Sequence, residues 1–253
     1  MNVFLKQNTL SMSKFNCLIH FFLFSLQIIY SQTNVDVEYK LTIDPEDDYN
    51  IKMSETVYFK NRMEEEIIKM DSFRFKLVIN DTLSSFYLSK EFKNQKIEYT
   101  ESSKKDVFFA LYTGAIYGRN NSFYRLDTDL NVFSTTIAAY EWEILNETKE
   151  IDGFLCYKAI TVKTIKNPSG NFSSPVVAWF CPKLSYSAGP LDFNGLPGLI
   201  LQVKYRGATY EATKINLKSE LKIDLKLFDQ HKKLSLDEYI QYSDEKIKSF
   251  GKN

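Results

Sequence analysis

The sequence predicts an α+β fold: a mostly antiparallel β-meander, curved as an open sheet or half-barrel, with one helix after the first strand and one at the C-terminus. Three observations lead there. Apolar residues alternate with polar ones along much of the chain, the period-two pattern of half-buried strands. Clusters of Asn, Asp, Gly and Pro separate these segments at short intervals, which favours hairpins over long crossovers. Only two stretches carry the apolar stripe of an amphipathic helix.

In the first strand, Val35, Val37, Tyr39, Leu41 and Ile43 alternate with Asp36, Glu38, Lys40 and Thr42. Asp44-Pro45-Glu46-Asp47-Asp48 ends it. That acidic run lacks calcium-ligand spacing and reads as a solvated turn. Residues 53–70 read as the first helix, capped by Ser54, with Phe59, Met63, Ile67 and Met70 on one face. Phe73, Phe75, Leu77 and Ile79 begin a hairpin that turns at Asn80-Asp81 and returns through Phe86 and Leu88. Residues 90–105 are charged and read as a solvated excursion. Three more strands are expected at 107–111, 122–126 and 132–137. Between the last two, Asp127-Thr128-Asp129 begins like an EF-hand loop, but Val132 and Ala138 occupy its required Gly and Glu positions.

Strands at 141–145 and 153–165 are expected around an Asn146-Glu147-Thr148-Lys149 turn, and 175–181 returns antiparallel. Gly189-Pro190 and Asn194-Gly195 are turn signals. Pro197-Gly198 suits the centre of a type II turn, with Gly198 supplying a positive φ. The turn feeds a strand in which Leu199, Leu201, Val203 and Tyr205 alternate with Ile200, Gln202 and Lys204. After Gly207-Ala208 comes a strand at 209–217. Leu221, Ile223, Leu225 and Leu227 alternate with Lys222, Asp224 and Lys226 and predict one more. Ser235-Leu236-Asp237-Glu238 is a capping box opening the last helix, with Leu236, Tyr239, Ile240, Ile247 and Phe250 inward.

The first 31 residues hold no acidic side chain; Lys6 and Lys14 precede an apolar run from Cys17 to Tyr30, and Ser31-Gln32 offers a cleavage point. This is the pattern of a secretory signal peptide. It implies export to a periplasm or cell envelope and a single domain over 32–253. That domain has 30 basic and 32 acidic residues and no basic stripe, which argues against nucleic acid. No later segment is long and apolar enough for a transmembrane helix.

Cys17 leaves with the signal, so Cys156 and Cys181 remain. If Asn167-Pro168-Ser169-Gly170 is a hairpin turn, residues whose numbers sum to 337 face each other, and these two cysteines do. Two readings stay open: a cross-strand disulfide, or two buried thiols.

One histidine, His231, remains beyond the signal. Any Ser-His-Asp triad, Cys-His dyad or His-bearing zinc site would have to use it, and its neighbours Gln230, Lys232 and Lys233 suggest an exposed loop. No cofactor or metal motif occurs. Carboxylate chemistry has Asp192, Glu141 and Glu143 as candidates, Asp192 foremost because it precedes the glycine-rich corner. A turn aspartate more often bonds its own backbone. Aromatics make up 15% of the chain and either fill a core or line a cavity for an apolar ligand.

Gly195-Leu196-Pro197-Gly198-Leu199-Ile200 spells GLPGLI. With Trp142, with Gly153, Cys156, Lys158 and Ala159 in IDGFLCYKA, and with Trp179 in AWF, it resembles the GLPGLI family of secreted Bacteroidota proteins. The resemblance is good over 142–205. Cys181 stands where the family usually has Thr, and Leu191-Asp192 where an aromatic and a basic residue are common. The resemblance implies no activity, cofactor or catalytic residue; it marks those motif positions as a structural or binding element. Element order is also similar to that of periplasmic lipoprotein carriers, whose half-barrel encloses an apolar cavity. Three functional readings follow in order: a non-catalytic envelope protein binding a lipid or other apolar ligand, an accessory protein of an outer-membrane complex, and a carboxylate hydrolase.

Overall fold

Strand β1 (Asn34–Ile43) lies inside the sheet rather than at its edge. Its odd-numbered side chains are buried and most even-numbered ones are half-buried, as the alternation requires. In a computed structural model of the chain, residues 34–48, 73–80, 83–89, 115–119, 121–127, 129–137, 139–167 and 170–250 are described. The expected signal peptide, the 53–70 helix, the 90–105 excursion and the 107–111 strand lie outside these residues.

On one side of β1 come β2 (Arg74–Ile79), β3 (Ser84–Leu88), β4 (Ile116–Arg119), β5 (Ser122–Asp127) and β6 (Val132–Ile137), each antiparallel to the last. On the other side lie β11 (Ala208–Ser219), β10 (Leu199–Tyr205), β9 (Gly170–Cys181), β8 (Phe154–Asn167) and β7 (Glu143–Ile151). A short strand, β12 (Lys232–Ser235), pairs parallel with β6 and makes the sheet mixed. Among the described residues the twelve strands form one open sheet, with β12 and β7 at its ends, and two helices: α1 (Leu225–Gln230) and α2 (Leu236–Phe250). The curved α+β sheet matches the expectation, and its ends do not close into a barrel.

The main core fills the inner face of β1, β2, β9, β10 and β11. Phe75 stacks on Phe86 at 5.4 Å, and Tyr210 meets both rings edge-on at 5.1 and 5.8 Å. Such offset and T-shaped contacts are the favoured aromatic geometries. A second cluster gathers Leu83, Tyr117, Leu126 and Phe133 around Phe228 of α1.

Three local expectations are corrected. The hairpin before β8 turns at Asp152-Gly153, with φ of 48° and 76°, not at 146–149. Both positive angles belong to a type I′ turn, whose twist matches the flanking strands. Strand β7 runs through 146–149 with a register shift between Ile144 and Thr148. Second, the 221–227 alternation is not a strand. The Asp224 side chain accepts the Leu227 amide at 2.9 Å and caps α1, so local capping overrides the period-two pattern. Third, His231 is not on a free loop. Its Nδ1 lies 2.7 Å from the Leu227 carbonyl and its Nε2 2.7 Å from Asn131 Oδ1, which ties the end of α1 to the β5–β6 turn.

Beyond Ile160, which faces Glu143 of β7, and Val176, which faces Tyr205 of β10, β8 and β9 pair only with each other. Their far halves form a two-stranded arm.

Candidate functional site

The arm and the opposite end of the sheet face each other across a cleft of about 1170 Å³. Arg125 of β5 and Thr135 of β6 line one wall; Ile160, Val162 and Lys163 of β8 and Val176 of β9 line the other. Leu236, the first residue of α2, also reaches it. These positions are far apart in sequence and meet only because the sheet curves.

Asp192 sits at this cleft, 7% exposed. Its Oδ1 accepts a hydrogen bond from Lys163 Nζ at 2.5 Å, a charge-assisted contact that joins the 182–198 loop to the arm. Burial alone would raise the Asp192 pKa, but the Lys163 ammonium, its hydrogen bond and the Arg125 charge outweigh it and hold the carboxyl below its ordinary range. Burial pulls the Lys163 pKa down; Asp192 opposes this, and Arg125 and Arg206 add to it. The Lys163 ammonium also stands over the rings of Phe193, Tyr205 and Tyr140, at 4.9, 5.5 and 5.9 Å. Burial, with the charge and hydrogen bond of Asp192, pushes the Tyr140 phenol up.

Of the three carboxylates singled out from sequence, all line the cleft. Glu141 and Glu143 are exposed, while Asp192 is the buried one. Lysine and arginine beside it were not foreseen, because a lysine in an alternating strand reads as a solvent-facing position. Asp192 in an otherwise apolar corner was the available signal.

The motif residues build the corner next to this cleft and the strands behind it. Trp142 Nε1 donates to the Asn194 carbonyl at 2.7 Å and clamps the loop from outside. Leu196, Leu199 and Ile200 are buried, and Pro197 is exposed. The Ile200 carbonyl accepts from the Tyr39 hydroxyl at 2.7 Å, where β9 and β10 shift register. Gly195, not Gly198, has the positive φ, 87°, so the expected type II turn is absent. Instead the Gly198 amide bonds the Leu196 carbonyl at 2.8 Å, spanning Pro197. Gly198 serves close packing: a Cβ there would lie 2.3 Å from the Cys181 carbonyl oxygen.

Lys158 pairs with Glu147 at 2.9 Å and stands 6.0 Å from the Trp179 ring, which carries Lys149 at 4.6 Å on the exposed side of the sheet. Gly153 sits in the hairpin turn, and Ala159 is fully buried. The hairpin register is the one expected, from Tyr157 opposite Phe180 to Asn167 opposite Gly170. Cys156 and Cys181 are free, buried thiols. Burial, and secondarily Cys181, push the Cys156 pKa up to about 12. A thiol held protonated is a poor nucleophile. Iodoacetamide at pH 8 is therefore expected to leave Cys156 unmodified in the folded protein, as peptide mass mapping would show; rapid labelling without unfolding contradicts its burial.

Among the described residues no three His, Cys, Asp or Glu come together as a metal-holding group, and no helix is long and apolar enough to cross a membrane.

A family model described as a protein of unknown function, Porph_ging, matches residues 171–202, which covers β9, the corner and the start of β10. No curated protein matches the chain. Among solved structures, PNGF-II in one crystal form is similar with a TM-score of 0.51 and 15% identity, over 83% of this chain and 33% of that one. A second crystal form of PNGF-II gives 0.50 and 17%, over 84% and 32%. The chain thus spans about a third of PNGF-II, and at such identity the likeness is one of fold.

Proposed function

We propose that this chain is an exported cell-envelope protein that binds an apolar ligand in the cleft between its arm and the far end of its sheet. The observation that carries the reading is the cleft itself: about 1170 Å³, with Ile160, Val162, Ile165, Val176 and Leu236 supplying apolar wall between threonines and charged groups. A concave site with apolar wall and charged groups to orient what it holds suits a small molecule. The apolar run at 17–30 after two lysines supports export. The wider motif set around GLPGLI supports assigning the chain to that family.

Catalysis by the cleft carboxylates fits less well. A general acid needs a carboxyl held protonated near neutral pH. Lys163 and Arg125 push Asp192 the other way, against the pull of burial.

Native mass spectrometry of the full chain, exported to and purified from a bacterial periplasm, tests the reading. Extra mass that is lost on denaturation is the expected result. A bare mass, with no binding of any added long-chain lipid, overturns it and moves the assignment to a partner-binding protein.

A further inference from the structure

Resting on that reading, we infer that the ligand carries an oxyanion head on an aliphatic body, and that Arg125 with Lys163 forms the seat for the head.

Arg125 is the central observation. It lines the cleft, and its Nε is shut off from solvent with no hydrogen-bond partner among the described residues. A buried, unsatisfied donor on a cation is expensive, and natural structures rarely keep one without a use. The guanidinium is a planar fork matched to carboxylate and phosphate oxygens.

The surrounding charges fit. Arg125 is within electrostatic reach of Asp192, Lys163 and Tyr140. Arg206 also acts on Lys163. Within the cleft two cations, Arg125 and Lys163, therefore act on one buried carboxylate, Asp192. Its hydrogen bond to Lys163 engages only part of that ammonium's three-donor capacity. Glu141 and Glu143, the other acids of the cleft, are exposed, where water screens them. The inner end of the cleft thus keeps an excess of positive charge that a single anionic head neutralises. Val162, Ile165 and Leu236 offer apolar surface for the rest of the molecule.

The test uses the full chain, with dodecanoate, dodecanol and acetate as probes in equilibrium dialysis. Arg125→Gln keeps a polar, hydrogen-bonding side chain, shorter and without the charge; its melting temperature is first checked against the wild type. Wild type is expected to hold dodecanoate about tenfold or more tighter than dodecanol, the scale of one charge-assisted hydrogen bond. Arg125→Gln should erase that preference, with the loss falling mainly on dodecanoate. Equal binding of the two probes by the wild type overturns the oxyanion seat while the apolar cleft stands. Acetate binding as tight as dodecanoate shows a small-anion site and overturns the amphiphile. Binding of none of the three overturns both the seat and the cleft reading.

Discussion

Gly198→Ala is expected to lower the melting temperature by roughly 6–12 °C, while Gly153→Ala lowers it by only about 2–4 °C. The two glycines separate two costs. At Gly153 nothing lies within 4 Å of an added Cβ, and the penalty is the positive φ of 76°, about 1 kcal/mol. At Gly198 the φ is ordinary, but the Cβ would meet the Cys181 carbonyl oxygen at 2.3 Å, its carbon at 2.6 Å and Pro182 Cα at 2.9 Å. These are backbone atoms, so no rotamer relieves the overlap. The corner must separate from the end of β9, and the Leu199 pairing with Cys181 goes with it. Overpacking of this kind costs about 3 kcal/mol, and each kcal/mol is worth about 2–4 °C in a domain of this size. Thermal denaturation followed by circular dichroism decides the matter. Near-wild-type melting of Gly198→Ala would show that β9 and the corner do not touch.

Breaking the buried ion pair is the second large effect. Asp192→Asn should cost roughly 3–5 kcal/mol at pH 7, because it leaves the Lys163 ammonium buried without its counter-charge. Lys163→Met with Asp192→Leu should recover most of that, since two apolar residues need no desolvated charge to be paired. The pH dependence carries a definite sign. Asp192 has a folded pKa below its unfolded value, so its contribution is fully present above about pH 4 and is lost as pH falls through the folded value. Urea denaturation should show the gap between wild type and Asp192→Asn closing on the acid side. A gap that persists unchanged to low pH means Asp192 is not ionised in the folded protein.

The strands were legible in the sequence because burial on one face imposes a period of two. Val35 to Ile43 shows this directly, and every odd position there is buried. The β8–β9 register was also legible, since a short hairpin turn leaves little freedom in the pairing. Local competition caused the misses. Asp152-Gly153 is a stronger hairpin signal than 146–149, and both stood in the sequence. At 221–227 the alternation was real, but one capping aspartate and the burial of Phe228 favoured a helix. Gly198 was read as the source of a positive φ, which it does not have; the constraint on it is Cys181, seventeen positions away, which no turn rule can see. The cleft lay outside sequence reasoning for the same cause. Arg125, Lys163 and Asp192 belong to three separate segments, and only the curvature of the sheet gives them a common environment.

The place of β1 also governs how the chain can fold. Its one neighbour, β2, follows it in sequence, but the other, β11, pairs Asn34 with Ser219. The β2–β6 meander and the β7–β11 meander can each zip up from local contacts, yet their junction closes a loop of nearly the whole domain. Such closure is entropically costly and slow. During synthesis β1 stands with one edge unpaired until β11 has been made, and an unpaired edge is a template for the wrong partner. The late joining of β1 to β11 is therefore the step at which a chaperone would have most to protect.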